Sequence, residues 1–139
     1  MTSESTRGII GMIHDAFKRG DHERFASFYD ENIDWTFHAP ISVFPFAGRR
    51  VGKPAVFLGL RQLYEGYEVQ GFAAQMVLAD GDRAAVISEI ALVQRATSRT
   101  IRCRVASFYR VRNGRVVEYQ GFVDSFDAAE QALGRYIEL

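Results

Sequence analysis

The chain has 139 residues, 47% of them hydrophobic and eleven of them Phe, and its 17 Lys and Arg balance 17 Asp and Glu. That length makes one ordinary domain, expected to span residues 1–139, with apolar material for one sizeable core. Charge balance removes the basic footprint of a general nucleic-acid binder, and with a polar start, Met1-Thr2-Ser3-Glu4-Ser5, and no apolar run approaching about 18 residues, neither a signal peptide nor a membrane span is expected. The lone cysteine, Cys103, cannot close an internal disulfide, so a reducing, cytoplasmic setting is the expectation.

From Arg7 to Arg19, Ile9, Ile10, Ile13, Ala16 and Phe17 fall at helical spacing, and Gly20 is a natural stop. Asp21 can cap a second helix carrying Phe25, Phe28 and Tyr29, predicted to end in Asp30-Glu31-Asn32. A short strand over residues 33–38 follows, with Ile33, Trp35 and Phe37 on one face and Asp34, Thr36 and His38 on the other. An irregular, apolar segment punctuated by Pro40, Pro45, Gly48 and Gly52 leads to Pro54, which suits a first helical turn. The third helix carries Val56, Phe57, Leu60, Leu63 and Tyr64 and ends near Gly66.

Strands are then predicted over residues 68–79, 84–93, 101–112 and 115–123, with turns at Asp80-Gly81, near Thr97-Ser98, and at Asn113-Gly114. Asn-Gly supplies the positive φ angles of a tight hairpin, the firmest local signal in the chain. Asp124 then caps a final helix running from Ser125 to about Glu138, with Ala128, Ala129, Ala132, Leu133 and Tyr136 on one side. Three helices, one short strand, four long antiparallel strands in meander order and a last helix define an α+β fold with helices on one sheet face. A curved sheet covered in this way leaves a hollow suited to a ligand.

Several strings carry a resemblance: Arg19-Gly20-Asp21, Gly48-Arg49-Arg50-Val51-Gly52 into Pro54-Ala55-Val56, Asn113-Gly114-Arg115-Val116, and Phe122-Val123-Asp124. Over nearly its whole length the chain resembles the cone-shaped superfamily of nuclear transport factor two, ketosteroid isomerase, scytalone dehydratase, limonene epoxide hydrolase and the SnoaL polyketide cyclases. The resemblance implies a cystatin-like architecture and leaves the reaction open, since one scaffold hosts many chemistries. It also implies specific losses. The helix-one tyrosine, strand-one aspartate and protonated penultimate-strand aspartate of ketosteroid isomerase fall at Ile13, Ala39 and Ala106. The last-strand carboxylate of the cyclases and the hydrolase falls at Gly121. The hydrolase's Tyr and Asn fall at Thr36 and His38, and its Arg and Asp at or beside Glu89 and Ala91.

Two candidates for acid–base chemistry remain. Glu89 interrupts an otherwise apolar strand and, facing a cavity, would have its pKa raised by desolvation; alternatively it lies on the other face, paired with an arginine. His38 could serve as a general base, or simply bond at the rim. His14 and His22 are expected on wet helix faces, and no metal spacing links the three histidines. Arg102, Arg104, Arg110 and Arg112 share one parity; they either reach a substrate carboxylate, Arg104 first, or pair with acids such as Glu118 across the ladder. Trp35, Phe37, Tyr64, Phe72, Phe108 and Tyr119 are aromatic enough to line a pocket, with plain core the alternative for most of them. The expected substrate contacts are thus Trp35, Thr36, Tyr64, Arg104, Phe108 and Tyr119, around His38 and Glu89.

Asp124 reads as a helix cap without chemistry, and neither a nucleophile elbow nor a phosphate-binding glycine pattern is present, so no cofactor is expected. Two functions compete: a cofactor-independent isomerase, dehydratase or hydrolase acting on a small apolar molecule, and a non-catalytic ligand-binding or association module. Either way a homodimer is expected, through an outer sheet face carrying Ile101, Cys103, Val105, Tyr109 and Val111.

Overall fold

The computed structural model describes residues 1–139. Four helices cover one face of a six-stranded, curved and unclosed sheet, with strand order β2-β1-β6-β5-β4-β3. Helix α1 (Ser3–Arg19) starts earlier than its apolar spacing indicates, because Thr2 and Ser5 form a reciprocal capping box; it ends at Gly20, whose φ of 65° lets the chain turn away. Asp21 caps the short α2 (His22–Ser27), accepting a hydrogen bond from the Arg24 N–H.

Strand β1 (Tyr29–His38) begins four residues before the expected Ile33, so Asp30, Glu31 and Asn32 belong to strand rather than to a helix end. Tertiary pairing overrides local polarity here: β1 runs parallel to the last strand, Tyr29 opposite Val116, and the register shifts between Tyr29 and Asp34. The polar residues sit in that irregular stretch, where the Asn32 N–H donates to Asp30 Oδ2 at 2.9 Å.

Strand β2 (Gly48–Val51) is too short to announce itself. Arg49 on its outer face grips Asp34 of β1 through two bonds of 3.1 Å each. Arg50 points inward, donating to the backbone carbonyls of Pro45 (2.9 Å), Ala55 (3.1 Å) and Phe46 (3.4 Å) and to Gln62 Oε1 (2.9 Å). It thereby ties the apolar segment after β1 to helix α3 (Lys53–Gly66). Gly59 makes room for that guanidinium: a Cβ there would lie 2.7 Å from Arg50 Nε.

Strands β3 (Tyr67–Asp80), β4 (Arg83–Gln94), β5 (Thr100–Arg112) and β6 (Arg115–Val123) form the antiparallel meander, folded at Asn113 and Gly114 with φ of 53° and 75°. Asp124 caps α4 (Ser125–Leu133). This helix stops five residues short of the expected end, because Gly134 adopts φ 70° and closes it; Tyr136, expected on the packed side, is 86% exposed.

The strand parity expected for β5 is reversed. Ile101, Val105, Tyr109 and Val111 are buried under the helices and Cys103 is half-buried beside them, while Arg102, Arg104 and Arg112 are exposed on the outer face. Long charged side chains cannot be buried without partners, so the arginine row takes the solvent side. Arg110 on that row bonds Glu118, its cross-strand partner, and Asp82 in the turn before β4, each at 3.4 Å. The interior is packed as two clusters, Ile10, Ile13, Ile33, Val86, Val111 and Val116 under α1, and Phe44, Leu63, Tyr67, Leu92, Ile101 and Ala132 toward α3 and α4.

Candidate functional site

Between the two clusters lies a cavity of about 160 Å³. Of its 24 lining residues 20 are hydrophobic, and none is Asp, Glu, Lys or Arg. Helix α1 contributes Ile13, His14 and Phe17, the loop after β1 contributes Phe44 and Phe46, and the strands contribute inward residues at every second position. Trp35 stacks on Tyr119 at 5.5 Å between ring centroids and on Phe37 at 6.2 Å.

The polar atoms in this lining are few. Ser107 Oγ and the Tyr119 hydroxyl are 3.0 Å apart, and Tyr109 packs edge-on to Tyr119 at 5.1 Å. Burial pushes the phenols of Tyr29 and Tyr109 up, with neighbouring phenols adding to the effect; burial alone raises Tyr119, and the Ser107 hydroxyl partly opposes the rise at Tyr109 and Tyr119. All three therefore stay protonated and able to donate. Burial, with a smaller contribution from Asp127, pushes the Cys103 thiol up to about 11, which keeps it from acting as a thiolate nucleophile at neutral pH.

His14 is the residue the sequence reading missed. It is 9% exposed, packed against Phe72 at 5.0 Å, and burial, helped by the Lys18 charge, lowers its pKa from 6.5 to about 4. It faces the cavity as a neutral imidazole. The signal was available: His14 is four residues after Ile10 and three before Phe17, which puts it on the buried face of α1.

Of the expected site residues, Trp35 and Tyr119 line the cavity and six do not. Glu89 is exposed on the outer face, opposite Ala73 and Arg104, and both charged residues point away from the cavity; the inward neighbours are Ser88 and Ile90. Strand β4 misleads because it is apolar on both faces, Ala85 and Ile87 outside, Ala84 and Val86 inside, so hydrophobicity alone does not reveal its parity. His38 is exposed, with Nε2 3.1 Å from Gln120 Oε1 and its ring stacked on Phe122 at 4.3 Å. Thr36 shares that outer face, opposite Gln120. Phe108 is 49% exposed on it as well. Tyr64 is half-buried against His22 at 4.7 Å and lies outside the cavity lining. Among the positions that the resemblance assigned, Ile13 faces the cavity, Gly121 is buried on the inner face, and Ala106 faces outward beside the inward Ser107.

Residues 11–119 match the model of the SnoaL-like domain, and the chain belongs to that family. Its fold is that of nuclear transport factor two-like proteins. A Rhodopseudomonas palustris protein provisionally named an isomerase is 36% identical, aligned over 97% of this chain and 100% of its own, with a TM-score of 0.83. A nuclear transport factor two-like protein from Burkholderia xenovorans is 21% identical over 95% of this chain and 98% of its own, with a TM-score of 0.79. An epoxide hydrolase of the limonene type from Mycobacterium tuberculosis, 14% identical over 95% and 92% of the two chains with a TM-score of 0.77, shares the fold. No curated protein sequence matches this one. No helix is long and apolar enough to cross a membrane.

Proposed function

We propose that this protein holds one small, uncharged, largely apolar molecule in the interior cavity. The observation that carries this reading is the lining itself, greasy on nearly every side and free of formal charge. Trp35 is the only tryptophan and forms part of the wall, so its emission reports occupancy. Titration with a small apolar ring compound such as toluene is expected to change that emission saturably, and Val105→Phe, which fills the space, is expected to abolish the change. A linear, non-saturating response that the filling substitution leaves untouched would overturn the reading.

Acid–base turnover of the bound molecule is a second reading, favoured by His14. A neutral imidazole in a dry wall can take a proton from a ligand and return it. The isomerase name of the 36% identical relative supports the same direction. Exchange of ligand C–H for deuterium in D₂O, followed by NMR with cyclohexanone, is the measurement: exchange above the buffer rate that disappears in His14→Gln is expected, and exchange that persists in the variant removes the imidazole from the chemistry. A reducing, cytoplasmic setting fits the single protonated thiol.

Pairing of two copies through the outer sheet face also belongs to this reading, on residues other than those first expected. Met76 and Leu78 on the edge strand β3 and Phe108 and Phe122 on β5 and β6 are exposed on it, and Glu89, Arg104, Arg110 and Glu118 add charge of both signs that a two-fold copy can complement. Sedimentation is expected to give a dimer for the native chain and a monomer for Phe108→Glu; a native monomer at tens of micromolar sinks the pairing.

A further inference from the structure

The cavity holds hydroxyl groups whose hydrogens outnumber the bonds they make to one another. Ser107 and Tyr119 each bring one O–H, and the 3.0 Å contact between their oxygens consumes one of the two hydrogens, whichever group donates. The other hydrogen is left over among walls built from Trp35, Phe37, Val105 and Val123, on a lining that also carries the protonated Tyr29 and Tyr109 hydroxyls, the latter near Ser107. An O–H left without an acceptor in such surroundings is costly, so the site favours an occupant that brings an oxygen lone pair. The protonated state of the phenols keeps this a donor site.

Gly121 shows that the position is built. A Cβ at residue 121 would lie 2.6 Å from the Tyr119 hydroxyl oxygen and 2.7 Å from Phe37 Cδ2. The backbone there is extended strand, so turn geometry does not call for the glycine. Its missing side chain is the space in which the Tyr119 hydroxyl and the Phe37 ring edge meet.

Size narrows the occupant further. A dry apolar cavity of about 150 Å³ takes benzene. At about 160 Å³, this one has room for a single ring.

Resting on the cavity reading above, we infer that the ligand is a monocyclic, uncharged molecule bearing a carbonyl or ether oxygen, which accepts a hydrogen bond from the Ser107–Tyr119 pair. Charged analogues are rejected, because the lining offers a carboxylate neutral hydroxyl donors and no cation.

Three probes of one ring size separate the possibilities by Trp35 emission: cyclohexanone, methylcyclohexane and cyclohexanecarboxylate. Loss of the Ser107 and Tyr119 donors is expected to weaken the ketone about tenfold relative to the hydrocarbon, the value of one buried hydrogen bond, and the carboxylate is expected not to saturate the native chain. Removing a single hydroxyl leaves the other with its hydrogen free, so the decisive variant is the double one, Ser107→Ala with Tyr119→Phe. It is expected to lower the ketone-to-hydrocarbon affinity ratio by that factor, and its saturable hydrocarbon binding shows that the variant is folded. A ketone-to-hydrocarbon ratio unchanged in the double variant, or carboxylate binding as tight as the ketone's, overturns the oxygen site and leaves the cavity reading standing. If none of the three saturates, the cavity reading falls as well.

Discussion

Gly121→Asp is expected to destabilise the protein by about 3 kcal/mol or more at pH 7, whereas Gly121→Ala costs about 1–3 kcal/mol. The alanine change carries the overpacking alone, since its Cβ lands on the Tyr119 hydroxyl and the Phe37 ring edge. The aspartate adds a carboxylate to a position buried from water. Its folded-state pKa is therefore raised above the unfolded value near 3.9. A raised folded pKa means that the folded form tolerates the acid at low pH and loses ground as pH climbs through that raised value. The difference between the two variants should thus be small near pH 4 and grow toward pH 8. Urea denaturation of both across that range is the measurement. An aspartate variant as stable as the alanine one at every pH would mean that the inner face of β6 is open to water, and the account of the cavity would have to change.

His14 gives the second large effect. Its folded pKa of about 4 lies below the unfolded 6.5, so between those values the unfolded chain binds a proton that the folded chain refuses. Stability therefore rises with pH in this window and is lost as pH falls through it, by about 3 kcal/mol in total. Above pH 6.5 the group contributes no dependence. His14→Phe, which keeps a ring against Phe72, is expected to flatten this part of the profile and to be more stable than the native chain near pH 4.5. The Asp15 carboxyl, held low by bonds to Arg19 and Arg24, titrates in both proteins and cancels in the difference. Parallel stability profiles for the two proteins from pH 4 to 7 would show that His14 is protonated freely in the folded state and does not line a dry wall.

The reversal at β5 and the loss of Glu89 from the site have one cause. In a sheet whose two faces are both partly apolar, a strand pattern reports alternation and leaves the side open. Ile101, Val105 and Tyr109 share one parity and Ala106 and Phe108 the other, and either set can pass for a core row. The four arginines break the tie only once it is known that the helices cover one side and nothing in the chain covers the other. The same ambiguity placed Phe108 in the cavity. For Trp35 and Tyr119 the side was recoverable, because β1 carries Asp34, Thr36 and His38 opposite its aromatic row.

What the amino-acid order determines by itself is local and periodic: the Asn113-Gly114 hairpin, the caps at Asp21 and Asp124, the apolar stripe of α1, and the family strings that give the fold. These follow from short-range sterics and hydrogen bonding, which need few neighbours to act. Only the tertiary structure decides which strand face meets the helices, that β1 extends back to Tyr29 to pair with β6, and that His14, Ser107 and Tyr119 share one dry cavity while Glu89 and His38 stand outside it. Each of those outcomes depends on burial against residues distant in the chain, and burial belongs to the assembled core rather than to any segment of it.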